Sequence, residues 1–142
     1  MIEFEVDGEK FTVDEEELIK TGDDLQKELF KIPADFLQIG MYLSKVNRLK
    51  SDLKLQYEAE YGRTYNEYKA GTYEALYFKK ATEEGLVQAL NEVDSLNDIK
   101  KQINNVSKIS DQLYALKSAL QMKYDSVIEV CRHIRQEKKN LE

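Results

Sequence analysis

Along most of this chain, apolar residues return at intervals of three and four, which is the spacing of one face of an α-helix. The most regular stretch, 95–139, contains neither glycine nor proline and predicts a helix roughly 65 Å long. A helix of that length needs a partner for its apolar stripe, and the stretch 34–69 has matching length and spacing. The pattern therefore predicts a long antiparallel helical hairpin.

The N-terminus has a different pattern, because its apolar residues alternate with polar ones as in a β-strand. Two such runs flank Asp7-Gly8, a pair that favours a type I′ turn because both central positions need positive φ. We therefore predict a β-hairpin, followed by a short helix over 15–20 that Asp14 caps and Gly22 stops. A second short helix is predicted to end at Phe30.

Pro33 is predicted to lie in the first turn of the long helix, a position that proline tolerates. That helix is expected to end near Gly71, and Thr82 is a candidate cap of a later helix. The region 72–81 is compatible with a strand, a loop or a further helical turn, and a bend at 94–95 remains open. The prediction is a single mainly α domain, 1–142, with an acidic head (1–32) and a coiled-coil-like hairpin (33–142) whose connecting segment is 70–94.

Composition narrows the class of protein. Of 142 residues, 42% are hydrophobic and 34% charged, with one proline, which is typical of a folded and helix-rich chain. No membrane span or signal peptide is predicted, so we expect a cytoplasmic protein, in the host cytoplasm if a phage encodes it. The single cysteine, Cys131, falls on the apolar stripe, and it and His133 point about 200° apart on a helix. We expect no enzyme activity, no cofactor and no metal site.

Charge is unevenly distributed along the chain, although the net charge is −6. Residues 1–36 hold 12 acids and 4 bases, whereas residues 42–80 hold 8 bases and 5 acids. The overall acidity argues against indiscriminate nucleic-acid binding, but it leaves room for a local basic surface. A C-terminal basic run, Arg132, Arg135, Lys138 and Lys139, complements the helix dipole or joins a basic surface in an oligomer.

Six of the nine tyrosines lie between 57 and 77, interleaved with cations. Aromatic rings beside basic groups are what single-stranded nucleic acid binds, because bases stack on the rings and cations neutralise phosphates. The alternative is that these tyrosines pack one end of the hairpin and reach water with their hydroxyls. The preceding part of the same predicted helix carries a set of cations, Lys45, Arg48, Lys50 and Lys54. The alternative interpretation of this set is an ordinary solvated helix face.

Three features together resemble the phage UvsY-type recombination mediators over about residues 23–138. A short acidic part precedes a long helix ending in Glu67-Tyr68-Lys69-Ala70-Gly71, a second long helix carries DQLYALKSAL (111–120), and the chain ends in a basic stretch. Arg63 fills one basic position of the family upstream of the aromatic-glycine element, whereas Tyr65 stands where the family has a second cation.

The resemblance implies a non-enzymatic protein that binds single-stranded DNA and helps a RecA-like recombinase displace single-strand-binding protein. It also implies a homo-oligomer formed through the C-terminal helical region. The candidate nucleic-acid-binding residues are Lys45, Arg48, Lys50, Lys54, Tyr57, Tyr61, Arg63, Tyr65, Tyr68 and Lys69.

The alternative hypothesis is a helical protein-interaction module, such as a phage or mobile-element adaptor or an inhibitor of host machinery. Its working surface would be the acidic head, which could engage a basic partner or imitate nucleic acid. Binding to an oligonucleotide at low salt separates the two hypotheses.

Overall fold

The computed structural model describes residues 1–141. It confirms the predicted mainly α fold with long helices and a small N-terminal β-hairpin. The elements are β1 (Ile2–Val6), β2 (Glu9–Val13), α1 (Glu15–Ile19), α2 (Leu25–Glu67), a π-helical turn (Tyr68–Thr72), α3 (Tyr73–Tyr77), α4 (Glu83–Asn91) and α5 (Asp94–Leu141). No helix among these is both long and apolar enough to cross a membrane.

Contacts divide the chain into two compact units, each of which is described by itself. Unit 1 comprises Met1–Asn47 with the chain from Lys108 onwards, and unit 2 comprises Arg48–Ser107.

The β-hairpin of unit 1 forms as its sequence predicts. Asp7 and Gly8 both have positive φ (53° and 79°), as a type I′ turn requires. The register pairs Phe4 with Phe11, and both rings contact Tyr42 of α2 at 5.5 and 5.2 Å between centroids. The apolar residues of β1 are buried and its glutamates are exposed, so the sheet docks on α2 through one face.

The prediction that Pro33 begins the long helix is wrong, as is the separate short helix ending at Phe30. One continuous helix, α2, begins at Leu25 and contains Pro33 as an exposed residue. The Asp24 carboxylate caps this helix by accepting from the backbone N–H groups of Gln26 and Lys27, at 3.1 and 3.2 Å. Because of this earlier cap, the helix begins two turns before the proline. Pro33 lacks a backbone N–H, so the helix lacks one backbone hydrogen bond at that position.

In unit 1, α2 and α5 run antiparallel. Lys123 contacts Glu28, and the Lys117 ammonium lies 5.1 Å from the centroid of the Phe36 ring. Further along α2, Asn47 accepts a hydrogen bond of 2.8 Å from the Ser110 hydroxyl. Residue numbers therefore rise on one helix as they fall on the other, and between them lie fully buried leucines, including Leu113 and Leu120.

A buried ion pair joins the two helices to the loop after α1. The Lys123 ammonium lies 2.7 Å from a Glu28 carboxylate oxygen and donates to the carbonyls of Leu18 and Lys20, each at 2.9 Å. The other Glu28 oxygen accepts from the N–H of Gly22 at 3.0 Å, so Gly22 serves this site and does not stop α1. Because the opposite charges are paired and both side chains hydrogen-bond to backbone groups of the loop, the pair fixes the loop on the helices.

This ion pair predicts a specific pH dependence. The hydrogen bond from Lys123 lowers the pKa of Glu28, outweighing the effect of burial. Its stabilising contribution is therefore complete above the ordinary value of 4.5 and is lost as pH falls through the depressed pKa. Urea unfolding of wild type and Glu28→Gln should show a large difference at pH 7 that shrinks steadily below about pH 4.5. A difference that stays constant from pH 7 to pH 3 would contradict this role.

Unit 2 begins on the second part of α2 and continues through three short elements. The π-helical turn contains Gly71 at φ 126°, which breaks the helix close to the predicted end. The uncertain region 72–81 includes the helix α3, and Thr82 caps α4 by accepting from the Gly85 N–H at 3.1 Å. Two residues, 92 and 93, separate α4 from α5, so the two helices are interrupted just before positions 94–95, where the sequence left a bend open.

Candidate nucleic-acid interface

A lane of four polar and aromatic residues follows one face of α2 in unit 2. Lys50, Lys54, Tyr57 and Tyr61 are spaced four, three and four apart, which places them on one side of a helix. Lys54 is exposed, and the other three are half-exposed. The helix remains regular through this lane as far as Glu67, so the four side chains keep a fixed spacing.

The aromatic part of the lane meets a cation from α5. The Tyr57 and Tyr61 rings lie 6.0 Å apart between centroids, tilted by 36°. The ammonium of Lys100 lies 5.5 Å from the centroid of the Tyr57 ring, within the range of a cation–π contact. We call Lys50, Lys54, Tyr57, Tyr61 and Lys100 the tyrosine–lysine patch. It offers two partly open rings and three ammonium groups on one surface.

Arg63 lies away from this patch. It follows Lys54 by nine residues, which turns it about 180° around α2. Its guanidinium forms ion pairs with Glu60 and Glu67 on the same helix. The hydrogen bond with Glu60 raises the pKa of Arg63 and lowers the pKa of that carboxyl. The positive charge of Arg63 is therefore already balanced by two carboxylates.

Two further predicted residues, Tyr65 and Tyr68, pack against a small apolar cluster of unit 2. Its buried members are Tyr73, Leu86 and Ala89. The Tyr68 ring lies 6.4 Å from that of Tyr73, and burial raises the pKa of the Tyr68 phenol. The packing alternative thus describes Tyr65 and Tyr68, whereas Tyr57 and Tyr61 remain in the patch.

The remaining predicted residues do not join the patch. Lys45 belongs to unit 1, where its ammonium lies 5.1 Å from the centroid of the Phe11 ring. Arg48 is exposed and precedes Lys54 by six residues, about 120° away around α2. Lys69 is exposed on the π-helical turn.

Lys100 is the member of the patch that the sequence did not reveal. It is one of several exposed lysines on α5, and its own neighbours in sequence carry no distinguishing signal. Its contact with Tyr57 depends on the register between two helices that are far apart in sequence. A cation within reach of the tyrosine lane could be anticipated, but its identity could not.

Residues 1–141 contain no group of three or more His, Cys, Asp or Glu side chains that could hold a metal ion. Comparison of the chain with protein-family models, with curated proteins and with solved structures finds no match.

Proposed function

We propose that this protein binds single-stranded DNA through the tyrosine–lysine patch and acts, as an oligomer, as a non-enzymatic recombination mediator. In that role it helps load a RecA-like recombinase onto strands covered by single-strand-binding protein. The observation that carries the proposal is the contact of Lys100 with the Tyr57 ring beside Tyr61. The mediator role rests on the sequence resemblance to the UvsY-type family.

The chemistry of the patch suits an unpaired strand. Each base stacked on an aromatic ring contributes about 1–3 kcal/mol and needs no particular sequence, because every base has a π-face. The three lysines of the patch can each neutralise a phosphate and release a counterion. A patch of this size binds weakly in one copy. Several copies on one strand gain affinity through their effective concentration, which is why the proposal includes an oligomer.

Charge reversal in the patch tests the proposal. With fluorescent oligo-dT, we expect the double variant Lys54→Glu, Lys100→Glu to weaken binding at least tenfold, because two phosphate contacts become repulsive. Three lysines also predict a slope of about −2 in log affinity against log salt, or roughly a twentyfold loss from 50 to 200 mM salt. Fluorescence anisotropy at the two salt concentrations measures both effects.

Two control variants separate the patch from general charge. Lys27→Glu reverses one exposed cation of unit 1, and Arg63→Gln removes a cation that already has two carboxylate partners. Both should bind oligo-dT within about threefold of wild type. Equal losses in all the variants, or no saturable binding at 50 mM salt, would refute the proposed site.

The mediator step has its own readout. Added to oligo-dT or circular single-stranded DNA covered by single-strand-binding protein, the protein should shorten the lag before a RecA-like recombinase hydrolyses ATP. The charge-reversed double variant should leave that lag unchanged. If the protein binds DNA but does not change the lag, the result would support the binding site and contradict the mediator role.

The second candidate function is the protein-interaction module that uses the acidic head. It is favoured by the exposure of Glu3 and Glu5, which leaves one face of the hairpin with a net negative charge although Lys10 stands opposite Glu5. This surface carries no apolar anchor beside its charges, because the apolar residues of β1 face the core. Absence of oligonucleotide binding at low salt would make this candidate the better one.

A further inference from the structure

A groove runs along the last turns of α5 in unit 1. It consists of two adjoining cavities of about 680 and 350 Å³, which share Leu29, Cys131 and Arg135 among their lining residues. On α5 the lining extends from Tyr124 to Lys138. From the first to the last of these fifteen residues the helix rises about 21 Å, which is close to four helical turns.

The floor of this groove is apolar and incompletely covered. Leu25 and Leu29 of α2 and Tyr124, Ile128 and Cys131 of α5 are all only half-buried. Five of the lining positions on α5 (124, 128, 131, 135 and 138) are spaced four and three apart, the spacing with which one helix receives another. The floor therefore offers an apolar strip along α5, with Leu25 and Leu29 from the first turns of α2 beside it, against which a further helix can pack.

One rim of the groove is basic. Arg132, Arg135 and Lys138 lie along α5, and Arg132 forms an ion pair with Glu129 at 3.5 Å. Within residues 1–141, neither Arg135 nor Lys138 has a carboxylate at ion-pairing distance. The dipole of α5 adds negative potential at this end, but it does not occupy the ammonium and guanidinium donors.

The opposite rim carries two carboxylates, Asp23 and Asp24. The Asp24 side chain accepts the backbone N–H groups that begin α2, so it is engaged within the chain. The groove thus has two carboxylates just before α2 and three cations along α5.

We propose that this groove binds an acidic amphipathic helix of a partner protein. The apolar face of that helix would cover Leu29 and Cys131, and its acidic residues would lie along Arg135 and Lys138. Apolar anchors supply affinity in helix-in-groove recognition, and the basic rim selects the charge of the partner and its orientation. This inference is independent of the DNA-binding proposal, because it uses a different surface and a different class of ligand.

The experiment uses two labelled peptides of fourteen residues with leucines at heptad spacing. One carries glutamates on its polar face, and the other carries lysines at the same positions. We expect the acidic peptide to bind at least tenfold more tightly than the basic one in fluorescence anisotropy. Because Cys131 is the chain's one cysteine and lies on the groove floor, the acidic peptide should also slow its alkylation by iodoacetamide.

Single substitutions test whether the acidic peptide binds in the groove. Arg135→Glu and Lys138→Glu should each weaken the acidic peptide about threefold to tenfold. Lys139→Glu has the same charge change at an exposed residue outside the lining, and it should leave the affinity within twofold. Equal affinity for both peptides, or binding without protection of Cys131, would overturn the proposal. Concentration-dependent protection of Cys131 without peptide would also overturn it, because a second copy of the chain would then occupy the groove.

Discussion

Replacing Lys123 by methionine should lower the free energy of unfolding by about 3–5 kcal/mol, the largest effect that we expect from a single substitution. The Lys123 side chain is only 3% exposed, and its ammonium contacts Glu28 and two backbone carbonyls. Methionine fills a similar volume but leaves a buried carboxylate without a counter-charge and both carbonyls without a donor. Urea unfolding at pH 7, followed by circular dichroism, measures the loss.

Two variants show whether the uncompensated carboxylate causes that loss. Lys139→Met makes the same substitution at an exposed position of α5 and should change stability by less than about 0.5 kcal/mol. The double variant Glu28→Gln, Lys123→Met removes both charges, so it should recover part of the stability lost by Lys123→Met alone. A loss below about 1 kcal/mol for the single variant would show that the ion pair is not the main attachment of this loop.

Leu120→Ala should destabilise the protein by about 2–5 kcal/mol, the range for removing a leucine from a closed core. Leu120 is 0% exposed and lies on the stripe of α5 that faces the core of unit 1. Alanine leaves a cavity that the surrounding helices can fill only in part. The measurement is again urea unfolding at pH 7, with the change in midpoint as the readout.

Met122→Ala is the matched control, because Met122 is on the same helix but 70% exposed. Both substitutions end in alanine, which favours helices, so a difference between them reports burial and not helix propensity. Met122→Ala should stay within about 0.5 kcal/mol of wild type. Similar losses at the two positions would mean that the outer face of α5 is also covered, for example by a second copy.

The features of the fold that depend on local chemistry could be predicted from sequence. The Asp7-Gly8 turn and the caps Asp14 and Thr82 each involve side chains and backbone groups within four residues, and all three form as expected. The start of α2 could not be predicted by the same means. There the Asp24 cap and the distant partner of Glu28 outweigh the local signal of Pro33.

The candidate site shows the same division. The four-three-four spacing of Lys50, Lys54, Tyr57 and Tyr61 follows from the sequence once a helix is assumed. Lys100 depends on which turn of α5 lies beside Tyr57, and that register is a property of the whole packed unit.

The burial of Lys123 could not be predicted from the sequence. Lysines are mostly exposed, so a lysine among the apolar positions of α5 is expected to extend its ammonium into water. A buried glutamate on α2 is the complementary signal, but pairing the two requires knowledge of how the helices align. The apolar spacing of α2 and α5 and the length of α5 could therefore be predicted from the sequence, whereas the start of α2 and the register between the two helices could not.

The two-stranded sheet also explains a property of the head that does not depend on any partner. A sheet of two strands leaves the outer backbone edge of each strand able to template a further strand from another molecule. Glu3 and Glu5 alternate along β1, and Glu5 stands opposite Lys10 of β2. Charged side chains at such borders discourage intermolecular strand addition. We therefore expect the glutamates of β1 to disfavour aggregation through the edges of the sheet, with or without a binding partner.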